Sequence, residues 1–272
     1  MAAQIDAVAE FQKTFQLLFQ KKNWMAALPP VIGGAVAAII IGVGFAVAFG
    51  SLFAGAGLAG AMGGGEGRGA GGMAAMLFSG VGLVFLVALV IGVIVGAFAL
   101  VWTYAAAEPV WSGGDPDIGG GFSKAMARLS AVAVLGLIFA VIACLGWTFI
   151  VPIAAAVFFL CWGLYIVPLI VKENKSAIDA IKGSIKLSNE QRNPSWMLLL
   201  GLIVIGFASG VVNAILGIIP FLGWIAALCV SALAQGLSAL AVWRFYNLVT
   251  GAATPAAPAV ASAPPPPSAP TT

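Results

Sequence analysis

Three acidic residues lie close together in EPVWSGGDPDIGGG (108–121): Glu108, Asp115 and Asp117. Carboxylates at such spacing can share acid–base work or hold a divalent cation. The rest of the chain supports neither chemistry. It has no histidine, and its three cysteines, Cys144, Cys161 and Cys229, lie inside apolar runs with no CxxC spacing. A metal site and a disulfide framework therefore both lack their residues. The acidic segment reads as a solvated loop built on Asp-Pro and Gly-Gly turns. No catalytic, cofactor or metal site is expected.

Other motifs also have plain readings. GAGLAG (55–60) matches the dinucleotide fingerprint, which needs a preceding strand and a following helix to present N–H groups to a pyrophosphate. Here it follows an apolar run and opens a glycine-rich loop, 55–72. GVIVG (92–96) and GFASG (206–210) are GxxxG motifs, which let helices approach closely inside a bundle. Asn213 and Gln235 are the most polar side chains well inside apolar runs, and a hydrogen bond between them would join two helices. Arg244 reads as a snorkelling residue beside Trp243 and Tyr246.

The lysines carry more of the argument. IDAVAEFQK (5–13) and IDAIKGSIK (178–186) resemble each other, and each precedes a Trp-Met pair that opens an apolar run. At about 100° per residue, Val8, Phe11, Phe15, Leu18 and Phe19 form one stripe, with Asp6, Glu10, Lys13 and Lys21 on the other side. In 176–190, Ser176 and Asp179 match an S-x-x-D cap. Ile178, Ile181 and Ile185 form the apolar stripe there, and Asp179, Lys182, Lys186 and Glu190 form a ladder of charges. Phe122, Met126 and Leu129 share a face that Lys124 and Arg128 avoid. These segments read as helices lying on a membrane surface, with Lys13, Lys21, Lys22, Lys182 and Lys186 placed to contact anionic lipid.

The chain that must position them is too apolar for a soluble domain. Of its 272 residues 62% are hydrophobic and 8% charged, against about 45–50% and 25% in soluble proteins. Six runs are long enough to cross the hydrocarbon: 31–53, 78–103, 129–149, 151–171, 197–219 and 225–247. LGWTFIVP (145–152) and IIPFLGW (218–224) supply tight turns. Cytoplasmic termini put eleven of the twelve basic residues inside and leave Arg68 outside, as the positive-inside rule requires. Asp6, Glu10 and Lys13 interrupt any secretory-signal core, so the N-terminus is expected to be retained. The expected fold is all-α: a six-span bundle over 1–250, arranged as three hairpins, each entered through an amphipathic cytoplasmic helix. Residues 251–272, with seven prolines, form a tail with no apolar face to dock.

VPLIVKENKSAIDAIKGSIKLSNEQRNPSW (167–196) resembles a stretch of a bacterial six-span family that includes the membrane domain of some glycerophosphodiester phosphodiesterases and stand-alone relatives. The likeness lies in Pro168, Glu173, Ala180, Ser184, Leu187 and Trp196. Gly183 and Ile185 depart from it, standing where the family has a basic and an aromatic residue. The resemblance implies a membrane module with no carried-over active site, in a bacterial inner membrane. The expected function is non-enzymatic: organising anionic membrane lipid or a membrane partner, with no nucleic acid. A protein partner or homo-oligomer stays open. The alternative is a transporter or lipid-handling permease, which should converge several polar side chains at mid-depth.

Overall fold

A computed structural model describes residues 6–20, 22–61, 80–144, 157–159, 161–219 and 222–251. Among them every regular element is helical. Helix α1 spans Ala7–Leu18, α2 Leu28–Ala61, α3 Gly80–Ala107, α4 Ile118–Ala127 and α5 Leu129–Cys144. Then come α6 Ile166–Lys172, α7 Ala177–Glu190, α8 Arg192–Leu216 and α9 Leu222–Thr250. Short 3-10 turns at Asn23–Ala27 and Glu108–Ser112 lead into α2 and out of α3.

Four helical stretches are long and apolar enough to cross a membrane: Asn23–Val47, Leu86–Ser112, Arg192–Leu216 and Ile225–Thr250. A fifth is reached if α4 and α5 count as one span, although they are bent by 79° at Arg128. This is the signature of a multi-pass membrane protein. Of the six predicted runs, the first is longer than expected, because α2 continues to Ala61. GAGLAG (55–60) is therefore helical backbone and no part of a loop; residues 62–72, the rest of the predicted loop, lie outside the described residues. So do the predicted turn at 145–152 and the tail beyond Gly251, where a left-handed glycine (φ 65°) closes α9.

The fourth run departs most from expectation. Residues 157–159, 161 and 162 are helical, but Gly163–Tyr165 are not, and helix resumes only at Ile166. Pro168 explains the break. In a continuous helix its missing N–H would leave the Leu164 carbonyl unbonded, and its ring would collide with that carbonyl. Restarting at Ile166 puts the proline in a first turn, where no N–H partner is needed. Pro29, Pro30 and Pro194 occupy first turns of α2 and α8 for the same reason.

Helices α2 and α3 meet through small residues. A Cβ on Gly33 would lie 2.1 Å from Ala99 Cβ, and one on Gly44 2.2 Å from Ala88 Cβ. Between them, a Cβ on Gly92 would strike Ile41 at 2.6 Å. Hydrocarbon gives apolar helices no solvent reason to associate, so backbone approach of this kind supplies the contact. The GxxxG reading holds in part: Gly92 packs on α2, whereas Gly96, Gly206 and Gly210 meet nothing within 4 Å.

The core is concentrated at one end. The connecting elements pack on one another: α1 on α8 and α9, both 3-10 turns on α3 and α9, and α6 on α7. The largest fully buried side chains, Trp243, Tyr165, Tyr246, Phe245, Leu18, Leu135, Ile170 and Leu198, lie on or beside them. Farther along the spans, Ile39, Val43, Leu83, Val204, Phe207 and Ile215 are exposed, as residues bathed in lipid tails are.

Two glycines separated by one residue test the α2–α3 contact. Gly44→Leu should lower the melting temperature of the detergent-solubilised protein, since overpacking costs about 1–3 kcal/mol. Gly42→Leu, which meets nothing within 4 Å, should not.

Candidate functional site

Of the predicted lysines, Lys13 sits on α1, Lys182 and Lys186 on α7, and Lys22 in the turn that follows α1. Asp6 caps α1, its Oδ1 accepting from Ala9 N at 3.1 Å. One side of α1 is fastened to the bundle. Leu18 and Thr14 are buried, Phe11 stacks on Phe245 with centroids 5.6 Å apart, and Asn23 Nδ2 donates to Leu17 O at 2.8 Å. Arg244 Nε donates to Glu10 Oε2 at 2.5 Å, and its guanidinium lies 5.1 Å from the centre of the Trp111 ring. Arg244 is thus a latch between the last helix and the first, not a snorkelling side chain. Glu10 turns inward with it, away from the charged outer face expected of it.

Burial acts to raise the Glu10 pKa, but hydrogen bonds from Arg244 and Lys13 and the charges of both more than offset it, so the net shift is downward. The predicted apolar stripe divides. Phe11 and Leu18 face the protein, while Val8, Phe15 and Phe19 stay exposed as a ridge, with Phe15 and Phe19 in ring contact at 5.1 Å. Trp24 is exposed beside them.

Helix α7 begins as predicted. Ser176 Oγ accepts from Asp179 N at 3.2 Å and donates to Asp179 Oδ2 at 2.7 Å. Its buried face, however, coincides with the isoleucine stripe only at Ile181, which packs partly buried against the core. Ala177, Ala180, Ser184 and Ser188 are buried, and Ile178 is 55% exposed. Of the predicted charge ladder, only Lys186–Glu190 is an ion pair among the described residues, at 3.8 Å. The two surface helices are therefore not structural copies. Asp6 is a cap and Asp179 a first-turn residue, and α1 buries large side chains where α7 buries small ones.

Ser184 does what periodicity could not show. Its Oγ accepts from Tyr165 N at 3.1 Å and donates to Trp162 O at 2.5 Å, so one hydroxyl satisfies both sides of the break before Pro168. The Tyr165 hydroxyl meets Ser195 Oγ at 3.1 Å, and Trp162 Nε1 donates to Asn189 Oδ1 at 3.2 Å. After α6, Glu173 accepts from the Tyr246 hydroxyl and pairs with Lys175 at 2.7 Å. Lys172 reaches Asn247 Oδ1 at 3.1 Å. Burial acts to raise the Glu173 pKa; the hydrogen bonds from Lys175 and Tyr246 and the lysine charges bring it below the usual carboxylate range.

The predicted contact residues are dispersed around this end. Lys13 is exposed and paired with Glu10 at 3.1 Å; Lys22, Lys182 and Lys186 are exposed, and Lys21 lies outside the described residues. The intramembrane pair is corrected: Asn213 Nδ2 donates to Ser231 Oγ at 2.8 Å, while Gln235 is exposed. Ser231 lies one turn from Gln235, and the shorter serine matches the close α8–α9 approach. The acidic trio separates as well. Glu108 takes Lys124 at 2.7 Å, and Asp117 caps α4 by accepting from Gly120 N at 2.8 Å. That segment is accordingly an ordered 3-10 turn and cap, where a solvated loop was expected.

No family model, curated protein or solved structure matches the chain.

Two adjacent serines separate the repair from mere burial. Ser184→Ala orphans a buried N–H and a carbonyl, which should cost on the order of 2–4 kcal/mol in unfolding free energy. Ser188 Oγ is buried without a partner, so Ser188→Ala should be neutral or slightly stabilising in the same denaturant titration. The Glu10 latch gives a pH test. A carboxylate whose folded pKa is depressed stabilises above its unfolded value, 4.5 for glutamate, and loses that contribution as pH falls through the folded value. Acid melting of the wild type should therefore be steeper below pH 4.5 than that of Glu10→Gln.

Proposed function

We propose that this is a non-enzymatic integral protein of the bacterial inner membrane that gathers anionic lipid around its basic end. The observation that carries the reading is the uncovered ridge of Val8, Phe15 and Phe19 on a helix whose other side is latched to the bundle by Glu10 and Arg244. A helix held this way can lie at the level of the headgroups, with its ridge in the acyl boundary. Exposed Phe122, Met126 and Ile178 on α4 and α7 extend the same belt. Lys22, Lys182 and Lys186 then reach headgroups, each basic residue near an anionic surface contributing about 1 kcal/mol.

The reading keeps both termini cytoplasmic and six spans in three hairpins. The family resemblance is compatible with it, because Pro168, Ala180 and Ser184 have structural duties that any membrane module with a broken span would need. A transporter of polar substrate is less well supported. Asn213 is engaged by Ser231, and Gln235 is exposed, which gives no support for polar groups converging at mid-depth.

Replacing Lys182 and Lys186 with Gln should preserve orientation, since nine inside basic residues remain. It should weaken retention of phosphatidylglycerol in native mass spectrometry by about thirtyfold, given about 1 kcal/mol for each of the two basic residues. Equal retention by wild type and double variant would leave these lysines a topological role only.

A further inference from the structure

The break before Pro168 borders a cavity of about 170 Å³. Its floor is Tyr104, Leu135, Val167 and Val242, all buried in the core. Its rim is Leu100, Phe139, Phe159 and Leu202, all half-buried. Leu100 is one turn from Tyr104, and Phe139 one turn from Leu135, each in the direction away from the connecting helices. The mouth therefore opens toward the middle of the spans, not toward the basic end.

We propose that this cavity binds the hydrocarbon chain of a lipid, methyl end first. Three independent features point to that occupant. Among the described residues no charged side chain lines the cavity, and Tyr104 is the one with a polar side-chain atom; a water needs two to four polar partners. The volume suits a slender chain: an apolar cavity of about 150 Å³ stays dry and takes a benzene-sized hydrocarbon, whereas a helix about 10 Å across would not enter. Finally, irregular backbone at membrane depth is tolerated where it is buried or lines a cavity, and discontinuous helices mark binding sites in membrane proteins. Gly163, Leu164 and Ile166, which flank and form the break, line this one. The surrounding medium at the mouth is itself acyl chain, so the ligand is at hand. The proposal is independent of the lysines.

The test is photolabelling of the full-length protein in detergent with palmitic acid carrying a diazirine near its methyl end, followed by peptide mapping. Adducts are expected on the Leu100–Tyr104 and Leu135–Phe139 segments and should be competed by excess untagged palmitate. Leu202→Trp, at the rim, should reduce them about fivefold or more, the effect of losing one or two buried methylenes. Leu200→Trp, on the exposed face of the same helix, should leave them unchanged. Tyr104→Phe should also leave them unchanged, because a methylene chain takes nothing from a hydroxyl. Adducts confined to outward faces such as that of Phe207, adducts that untagged palmitate does not compete, or equal labelling of the two tryptophan variants would overturn the proposal. Loss of labelling in Tyr104→Phe would overturn it too, in favour of a ligand with a polar head.

Discussion

A single hydroxyl holds together the most vulnerable place in the chain. Pro168 forbids a continuous helix through Leu164, and the resulting gap leaves a donor at Tyr165 and an acceptor at Trp162. In hydrocarbon or in a dry core, neither can be left to water. Ser184 meets both, and to do so α7 must come within a hydrogen bond of the broken backbone. That approach is why the buried face of α7 is Ala177, Ala180, Ser184 and Ser188: larger side chains would hold the helix away. Ile178 is displaced outward as a consequence, and Lys182 and Lys186 lie on the exposed side. One proline thus sets the direction in which a surface helix presents its charge.

The same logic accounts for the concentration of polar contacts at one end. Within a bilayer, apolar surface gains nothing by leaving lipid for protein, so helices need close backbone contact or polar interactions to choose partners. Along their length α2 and α3 use glycine and alanine. The ends that meet the connecting helices use tryptophan N–H groups given to carbonyls, Trp243 to Tyr104, Trp111 to Leu240 and Trp102 to Ile118, together with the Glu10–Arg244 and Glu173–Tyr246 contacts. All but the Trp102 bond join segments far apart in sequence. They fix the arrangement of helices whose apolar surfaces alone would be nearly interchangeable.

Much of this was legible in the sequence and some of it was not, for identifiable reasons. Long apolar runs and the S-x-x-D pattern are local signals; the first located α2, α3, α8 and α9 and the second the Ser176 cap of α7. The stripes on α1 and α7 were misassigned in part because a helical wheel cannot tell which of two apolar flanks meets the protein. On α1 the answer depended on Phe245 and Arg244, more than two hundred residues away. Asn213 chose Ser231 over Gln235, a matter of one turn on the opposite helix. Gly163–Tyr165 looked like the interior of a span because hydropathy carries no hydrogen-bond accounting. Pro168 itself was the available clue, since a proline inside an apolar run demands that some other group satisfy the carbonyls it leaves behind.

Both proposed lipid contacts follow from that accounting. A chain that closes its core only around the connecting helices leaves the remainder of its spans to be completed by the bilayer, and the two kinds of lipid surface it offers are chemically distinct. At the basic end, the proposed contact is between headgroup charge and exposed lysines. Beside the break, the proposed contact is between an acyl chain and an apolar pocket. Because Ser184 both positions α7 and closes the backbone that lines the pocket, the headgroup side and the chain side share one mechanical element. A change in how α7 sits on the membrane surface would alter the wall formed by Leu164, Ile166 and Val167, which gives the protein a physical route by which the lipid at its surface could bear on the lipid within.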